Sequence, residues 1–230
     1  MSADPRLIVA LDLPTRAAAE AMVETLGKTV SFYKIGLQLL AAGGMASARN
    51  LKAAGAGVFL DWKLHDIGAT VEKATAAIVG SGAGDFLTVH AEPQVLAAAV
   101  RGRGGERSVK ILGVTVLTSL TAQELVQIGY GLGLEALVTR RIGQAIDAGA
   151  DGVVASPREA ALARRMGGPD FLVVTPGVRP AAAASDDQAR AATPAEALAA
   201  GASHIVCGRP ITAAPDPRAA AMAIAAQMAG

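Results

Sequence analysis

Val58-Phe59-Leu60-Asp61-Trp62-Lys63-Leu64-His65-Asp66-Ile67-Gly68-Ala69-Thr70, continued by VEKATAAIVG to Gly80, holds the pattern that decides the fold. Residues 58–63 form a short apolar run rich in strand formers. Residues 71–80 carry apolar side chains at helical spacing and stop just before Gly82. The same strand-then-helix unit recurs along the chain. Strands are expected at 7–12, 31–35, 58–63, 86–90, 111–117, 152–155, 171–175 and 204–207. Helices are expected at 16–26, 37–54, 71–80, 93–100, 134–148, 157–166, 194–199 and 216–228. Pro14, Pro93, Pro157 and Pro194 fall near helix starts, where a missing N–H costs nothing. Gly55, Gly82, Gly149 and Gly201 fall at helix ends, where a left-handed cap is needed.

Alternating strands and helices require parallel strands joined by helical crossovers, because a tight turn cannot return a chain in parallel. Eight such units in 230 residues suit an α/β fold of one domain, a (β/α)8 TIM barrel over residues 1–230. An open doubly wound sheet is the competing arrangement. Against it, the first strand runs into Asp12-Leu13-Pro14-Thr15 instead of a glycine-rich turn, so no dinucleotide site is expected there. Two stretches, 118–133 and 179–192, are longer than usual connections and are read as irregular loops able to bind or cover a ligand.

Composition limits the partners. Twenty-one Lys+Arg against 20 Asp+Glu leave no positive field, so neither nucleic acid nor an anionic membrane surface is supported, and a small molecule is expected. A lone cysteine, Cys207, rules out a disulfide framework and a cysteine-rich zinc site and fits a reducing compartment. The apolar run 7–13 is only strand-length and contains Asp12, which argues against an export signal, and no run is long enough to span a bilayer. A cytoplasmic protein is expected. With one Trp, two Tyr and four Phe, the core must be built mostly from Ala, Val, Leu and Ile.

Asp61 and Lys63 lie two apart on one strand and therefore face the same side. Burying opposite charges is costly, and a pair kept for stability alone is often replaceable by apolar residues, so a functional pair is the better reading than a structural ion pair at the rim. Asp12 and Lys34 end the first two strands in the same way, and active sites in such barrels lie at the carboxyl ends of the strands. The resulting Lys-Asp-Lys-Asp array keeps a lysine charged beside a carboxylate. Such a lysine can stabilise a carbanion and deliver its proton, which points to decarboxylation or enolate chemistry. Thr175-Pro176-Gly177-Val178-Arg179-Pro180 and Cys207-Gly208-Arg209-Pro210 end the seventh and eighth strands, the usual phosphate-binding place of this fold. Each alone could be a turn with a solvated arginine; together they favour a phosphorylated substrate. His65, His90 and His204 lack metal-ligand spacing and are expected to hydrogen-bond in or beside the barrel, so no metal is expected. Cys207 reads as an inert core residue.

These residues resemble the orotidine 5'-phosphate decarboxylase family almost from end to end. Leu7–Asp12, Lys34-Ile35-Gly36 and Asp61-Trp62-Lys63-Leu64-His65-Asp66-Ile67, an Asp-x-Lys-x-x-Asp signature, are similar to its first three strands. Leu117-Thr118-Ser119, Pro176–Pro180, Asp187-Gln188-x-Arg190 and Gly208-Arg209-Pro210 resemble its pyrimidine and phosphate segments. The resemblance implies conversion of orotidine 5'-monophosphate to uridine 5'-monophosphate in pyrimidine biosynthesis, with no cofactor. It further implies Lys63 as proton donor to C6 and Asp61 beside the substrate carboxylate. Lys34 would bond Asp61 and the ribose, and Asp12 a ribose hydroxyl. Thr118 would contact the base, while Arg179, Gln188, Gly208 and Arg209 would hold the phosphate. Asp66 and Thr70 would enter the site from the second subunit of a homodimer.

One departure stands out: Asp66-Ile67-Gly68-Ala69-Thr70-Val71 replaces the frequent Asp-Ile-Pro-Asn-Thr-Val, which predicts altered loop stability with activity kept. Sibling barrels, 3-keto-gulonate-phosphate decarboxylase and hexulose-phosphate synthase, are similar in the Asp-x-Lys-x-x-Asp strand but use magnesium; Lys34 and the 187–190 segment argue against them. A silent nucleotide-phosphate binder would have no reason to keep Asp61 and Lys63.

Overall fold

The computed structural model describes residues 3–105, 107–180 and 192–229. Its strands are β1 (Leu7–Ala10), β2 (Phe32–Ile35), β3 (Gly57–Leu64), β4 (Phe86–His90), β5 (Lys110–Val114), β6 (Gly152–Val154), β7 (Leu172–Pro176) and β8 (His204–Cys207). Each pairs in parallel with the next, and β1 pairs with β8, so the sheet closes into a barrel. That closure excludes the open sheet. The helices are α1 (Arg16–Leu26), α2 (Leu37–Ala41), α3 (Gly44–Ala53), α4 (Gly68–Ser81), α5 (Pro93–Arg103), α6 (Ala122–Ile128), α7 (Leu134–Asp147), α8 (Ala160–Gly167), α9 (Pro194–Ala199), α10 (Arg209–Thr212) and α11 (Pro217–Met228).

Two expectations about the helices are corrected. The helix read over 37–54 is two helices, broken at Gly43, whose φ of +96° only glycine adopts at low cost. A side chain at Gly44 would stand 2.8 Å from the Leu39 carbonyl oxygen, so the two helices meet too closely for anything larger. The stretch 118–133 is not irregular throughout. It contains α6, started by a capping box in which the Thr121 hydroxyl accepts from the Glu124 N–H and the Glu124 carboxylate accepts from the Thr121 N–H. The Thr-x-x-Glu spacing was the signal for it.

Strand alternation sorts the core into two parts. Leu7, Val9, Tyr33, Ile35, Val58, Leu60, Leu87 and Val89 point outward into the layer shared with the helices. Ile8, Ala10, Phe32, Phe59, Phe86, Leu112, Val174 and Val206 fill the barrel. Within that filling Phe86 packs against Phe32 and Phe59, with ring centroids 5.0 and 5.9 Å away. Gly57 is required by this floor, since a Cβ there would sit 2.8 Å from the Phe32 ring. At the amino-terminal rim, the residue preceding each of three even strands caps the strand before it. Asp85 accepts from the Val58 N–H, Asp151 from the Ile111 N–H and Ser203 from the Val173 N–H. Lys52, Arg103 and Arg164 reach in from helices to bind those same three side chains. The charge of this rim is therefore spent on holding the barrel.

His204 was expected to find a hydrogen bond. Instead its ring packs edge-on against Phe32 and Phe86, and its Nδ1 has no hydrogen-bond partner among the described residues. Burial holds the imidazole down at about 4, against an ordinary 6.5, despite the opposing pull of the Asp4 charge. The unfolded chain thus binds this proton near pH 6.5 and the folded chain only near 4. Stability should be full above the first value and fall as the pH drops between the two, by up to about 3 kcal/mol. Urea unfolding at several pH values is expected to show that decline, and His204→Phe to remove most of it; an unchanged slope in the variant would assign the effect elsewhere.

Candidate active site

Four charges meet at the carboxyl-terminal mouth. Asp12 lies two residues beyond β1, Lys34 is on β2, and Asp61 and Lys63 are on β3. Lys34 Nζ is 3.1 Å from Asp12 Oδ1 and 3.2 Å from Asp61 Oδ2, and Lys63 Nζ is 2.8 Å from Asp61 Oδ1. The charges therefore alternate along a continuous chain. Lys34 and Asp61 are the buried centre, with side chains 9% and 13% exposed, while Asp12 opens to solvent. Burial by itself would raise the Asp61 pKa, but the Lys34 and Lys63 charges and their hydrogen bonds outweigh it and hold the carboxyl below the ordinary carboxylate value. Gly36 makes the first link possible, because a Cβ there would lie 2.4 Å from Asp12 Oδ1 and 3.1 Å from Lys34 Nζ.

Lys63 has an unusual backbone. Its φ is +48°, the sole positive value outside glycine among the described residues. Thr88, on β4, accepts a hydrogen bond from the Lys63 N–H at 3.0 Å and donates one to Asp61 Oδ1 at 3.0 Å. The sequence reading had passed over this residue. Its signal is a repeat, Phe32-Tyr33-Lys34, Phe59-Leu60-Asp61 and Phe86-Leu87-Thr88, in which each floor phenylalanine precedes by two a polar group facing the site.

A cavity of about 400 Å³ joins the array to the opposite wall. Asp12, Lys34, Asp61 and Lys63 line one side, Leu117 and Thr118 another, and Gly177, Arg179, Gly208 and Arg209 the far side. Gly177, at φ +80°, turns the chain out of β7 toward Arg179. The Arg179 N–H donates to the Ala192 carbonyl at 2.9 Å, and Val178 bridges to Ala192, which sets the chain leaving β7 beside Ala192. Asp187, Gln188 and Arg190 lie outside the described residues. Asp66 and Thr70 do not line the cavity. Both are exposed beyond β3, beside an Ile67 that is 72% exposed, and Asp66 accepts from the Ile67 N–H at 2.6 Å. Gly68 is the first residue of α4, a position that accepts proline, so nothing in its surroundings demands glycine.

His65 and His90 stack at 4.9 Å between centroids, near Glu92. Among the described residues no three His, Cys, Asp or Glu side chains group closely enough to hold a metal ion. Burial pushes the Cys207 thiol up to about 12, which makes it a poor nucleophile. No helix among the described residues is long and apolar enough to cross a membrane.

Comparison with known proteins adds names. Residues 5–224 match the family described as "Orotidine 5'-phosphate decarboxylase / HUMPS family". A protein of Caulobacter sp. (strain K31), named orotidine 5'-phosphate decarboxylase, is 66% identical over 230 residues, the full length of both chains. One of the same name from Caulobacter vibrioides (strain NA1000 / CB15N) is 63% identical over 234 residues, again covering both chains fully. The crystal structure of orotidine 5'-phosphate decarboxylase from Lactobacillus acidophilus superposes with a TM-score of 0.86 at 36% identity, covering 99% of this chain and 100% of that one.

The geometry ranks the two lysines differently for stability. Lys34→Met should cost about 3–5 kcal/mol at neutral pH, because it leaves buried carboxylate charge underpaired. Lys63→Met should cost clearly less, since the Lys63 side chain is 26% exposed against 9% for Lys34. Denaturant unfolding of both variants checks this, and equal losses would refute the ordering.

Proposed function

The chain belongs to the orotidine 5'-phosphate decarboxylase / HUMPS family, and we propose that it converts orotidine 5'-monophosphate to uridine 5'-monophosphate without a metal or cofactor. The observation that carries this reading is Lys63 Nζ held 2.8 Å from a buried, ionised Asp61, at the end of a cavity whose far wall presents Arg179 and Arg209. The arginines take the phosphate, with Gly208 offering its backbone and Gln188 joining from the 181–191 segment. Thr118 meets the base at the rim. Asp12 and Lys34 hold the ribose. The substrate carboxylate then lies against Asp61, where like charges repel. The bond from C6 to the carboxyl carbon breaks, carbon dioxide leaves, and its electron pair stays on C6. Lys63 gives that carbon a proton and recovers one from water. With no cofactor to spread the charge, preorganised ammonium groups supply most of the barrier reduction.

Asp66 and Thr70 belong to the same reading as residues lent to the site of a second subunit. Their exposure, next to an exposed Ile67, suits a two-fold interface. A cytoplasmic setting, in which the lone Cys207 stays reduced, completes it.

Loss of orotidine 5'-monophosphate followed by ultraviolet absorbance tests the chemistry. Turnover is expected to be unaffected by EDTA and abolished by Lys63→Ala, with product nucleotide still bound by the variant. Activity lost to EDTA and restored by magnesium would instead favour a metal-dependent sibling reaction. The shared site has its own test. Lys63→Ala and Asp66→Ala homodimers should each be nearly dead, yet mixing equal amounts and letting subunits exchange makes half the dimers hybrids with one intact site. About a quarter of wild-type activity per total site should return if assembly is random. No recovery, with hybrids present by native mass measurement, would place Asp66 in the site of its own chain.

A further inference from the structure

Strands β3 and β4 pair at Leu60↔Leu87 and again at Leu64↔Val89. Four steps along β3 therefore match two along β4, so that Asp61, Trp62 and Lys63 stand opposite the single residue Thr88. Such a bulge re-aims side chains and frees peptide groups from the ladder. It also puts Lys63 into the left-handed region, which a residue with a side chain keeps only where its surroundings hold it.

One side chain does the holding. Thr88 is fully buried, and its hydroxyl lies between the Lys63 N–H and Asp61 Oδ1, 3.0 Å from each. The direction of both bonds is fixed. A peptide N–H can only donate, so the hydroxyl oxygen accepts from Lys63, and its own proton is left for the carboxylate. A single hydroxyl thus couples the main chain of one array member to the side chain of another. We propose that Thr88 is a positioning residue for the decarboxylation: it locks the Lys63 backbone and the Asp61 carboxylate in the geometry that aims the ammonium at C6. This rests on the reading given under Proposed function.

The competing role is packing, since Thr88 faces a filled barrel. Thr88→Val separates the two because it keeps shape and removes the hydroxyl. The kcat for orotidine 5'-monophosphate should fall about 10- to 100-fold, as expected when a hydrogen bond to a charged group is lost and a reacting atom drifts. KM and the Kd for uridine 5'-monophosphate should change little, because phosphate contacts dominate them. Without the hydroxyl donor, Asp61 takes up its proton more readily, so the acidic limb of the kcat profile should move to higher pH. Thr88→Ser should restore most of the kcat. Wild-type kcat and an unmoved acidic limb in Thr88→Val would overturn the proposal, as would a Thr88→Ser as impaired as Thr88→Val. Should Thr88→Val fail to fold, Thr88→Ser and Thr88→Ala give the same comparison, since both lose the methyl and only the second loses the hydroxyl; equal kcat values would overturn it. A wild-type protein inactive on the nucleotide would refute the decarboxylase reading itself, a result distinct from an active wild type with an equally active Thr88→Val.

Discussion

The Asp61 carboxylate, buried and kept ionised, is the constraint that the rest of the mouth satisfies. Desolvation works against its charge, and the ammonium groups of Lys34 and Lys63 reverse the balance. The dependence runs both ways. Two lysines converging on one cavity would repel each other, and Asp61 is the charge that lets them share it. Each member is thus needed for the others to be affordable in a dry site. A stabilising core would use hydrocarbon here, so a network of this kind is evidence of chemistry in a way that the ion pairs of the opposite rim are not.

The barrel underneath gives the array its rigidity. Phe32, Phe59 and Phe86 pack ring against ring one layer below Lys34, Asp61 and Thr88, so the polar groups stand on a surface that cannot settle. Glycines are placed where the two layers need close approach, Gly57 beneath and Gly36 above. The amino-terminal rim is fastened separately by Asp85, Asp151 and Ser203, each serving the strand before its own. Stability and function therefore occupy opposite ends of the same strands.

Strand order, barrel closure and the four-charge array were legible in the sequence, because periodicity two fixes which side chains share a face and the fold fixes which end bears the site. What was missed has a common cause. The break at Gly43, the helix over Ala122–Ile128 and the role of Thr88 all depend on contacts between particular atoms, and hydrophobic periodicity carries no information about those. The capping box could have been read from Thr121 and Glu124. Thr88 was concealed by its chemistry: a threonine in a strand is ordinary, and only its place in the repeated Phe-x-polar pattern distinguishes it. Asp66 and Thr70 are exposed just beyond β3, Thr70 in the first turn of α4, and their proposed role rests on the family resemblance and not on any contact within one chain.

The two walls of the cavity do different work on the proposed reaction. Contacts between arginine and phosphate are equally strong in the ground and transition states, so by themselves they would tighten binding without speeding the chemistry. The array is the opposite case, repelling the substrate carboxylate while favouring the carbanion that follows. Because the arginines on the β7 and β8 side face the array across about 400 Å³, a nucleotide held at its phosphate as proposed would have its reacting end pressed toward Asp61. On that reading, binding energy collected at one wall would be spent as strain at the other. That transfer would require both walls to be stiff, which gives the closed barrel, the phenylalanine floor and the proposed Thr88 link a part in the rate beside the charged groups they support.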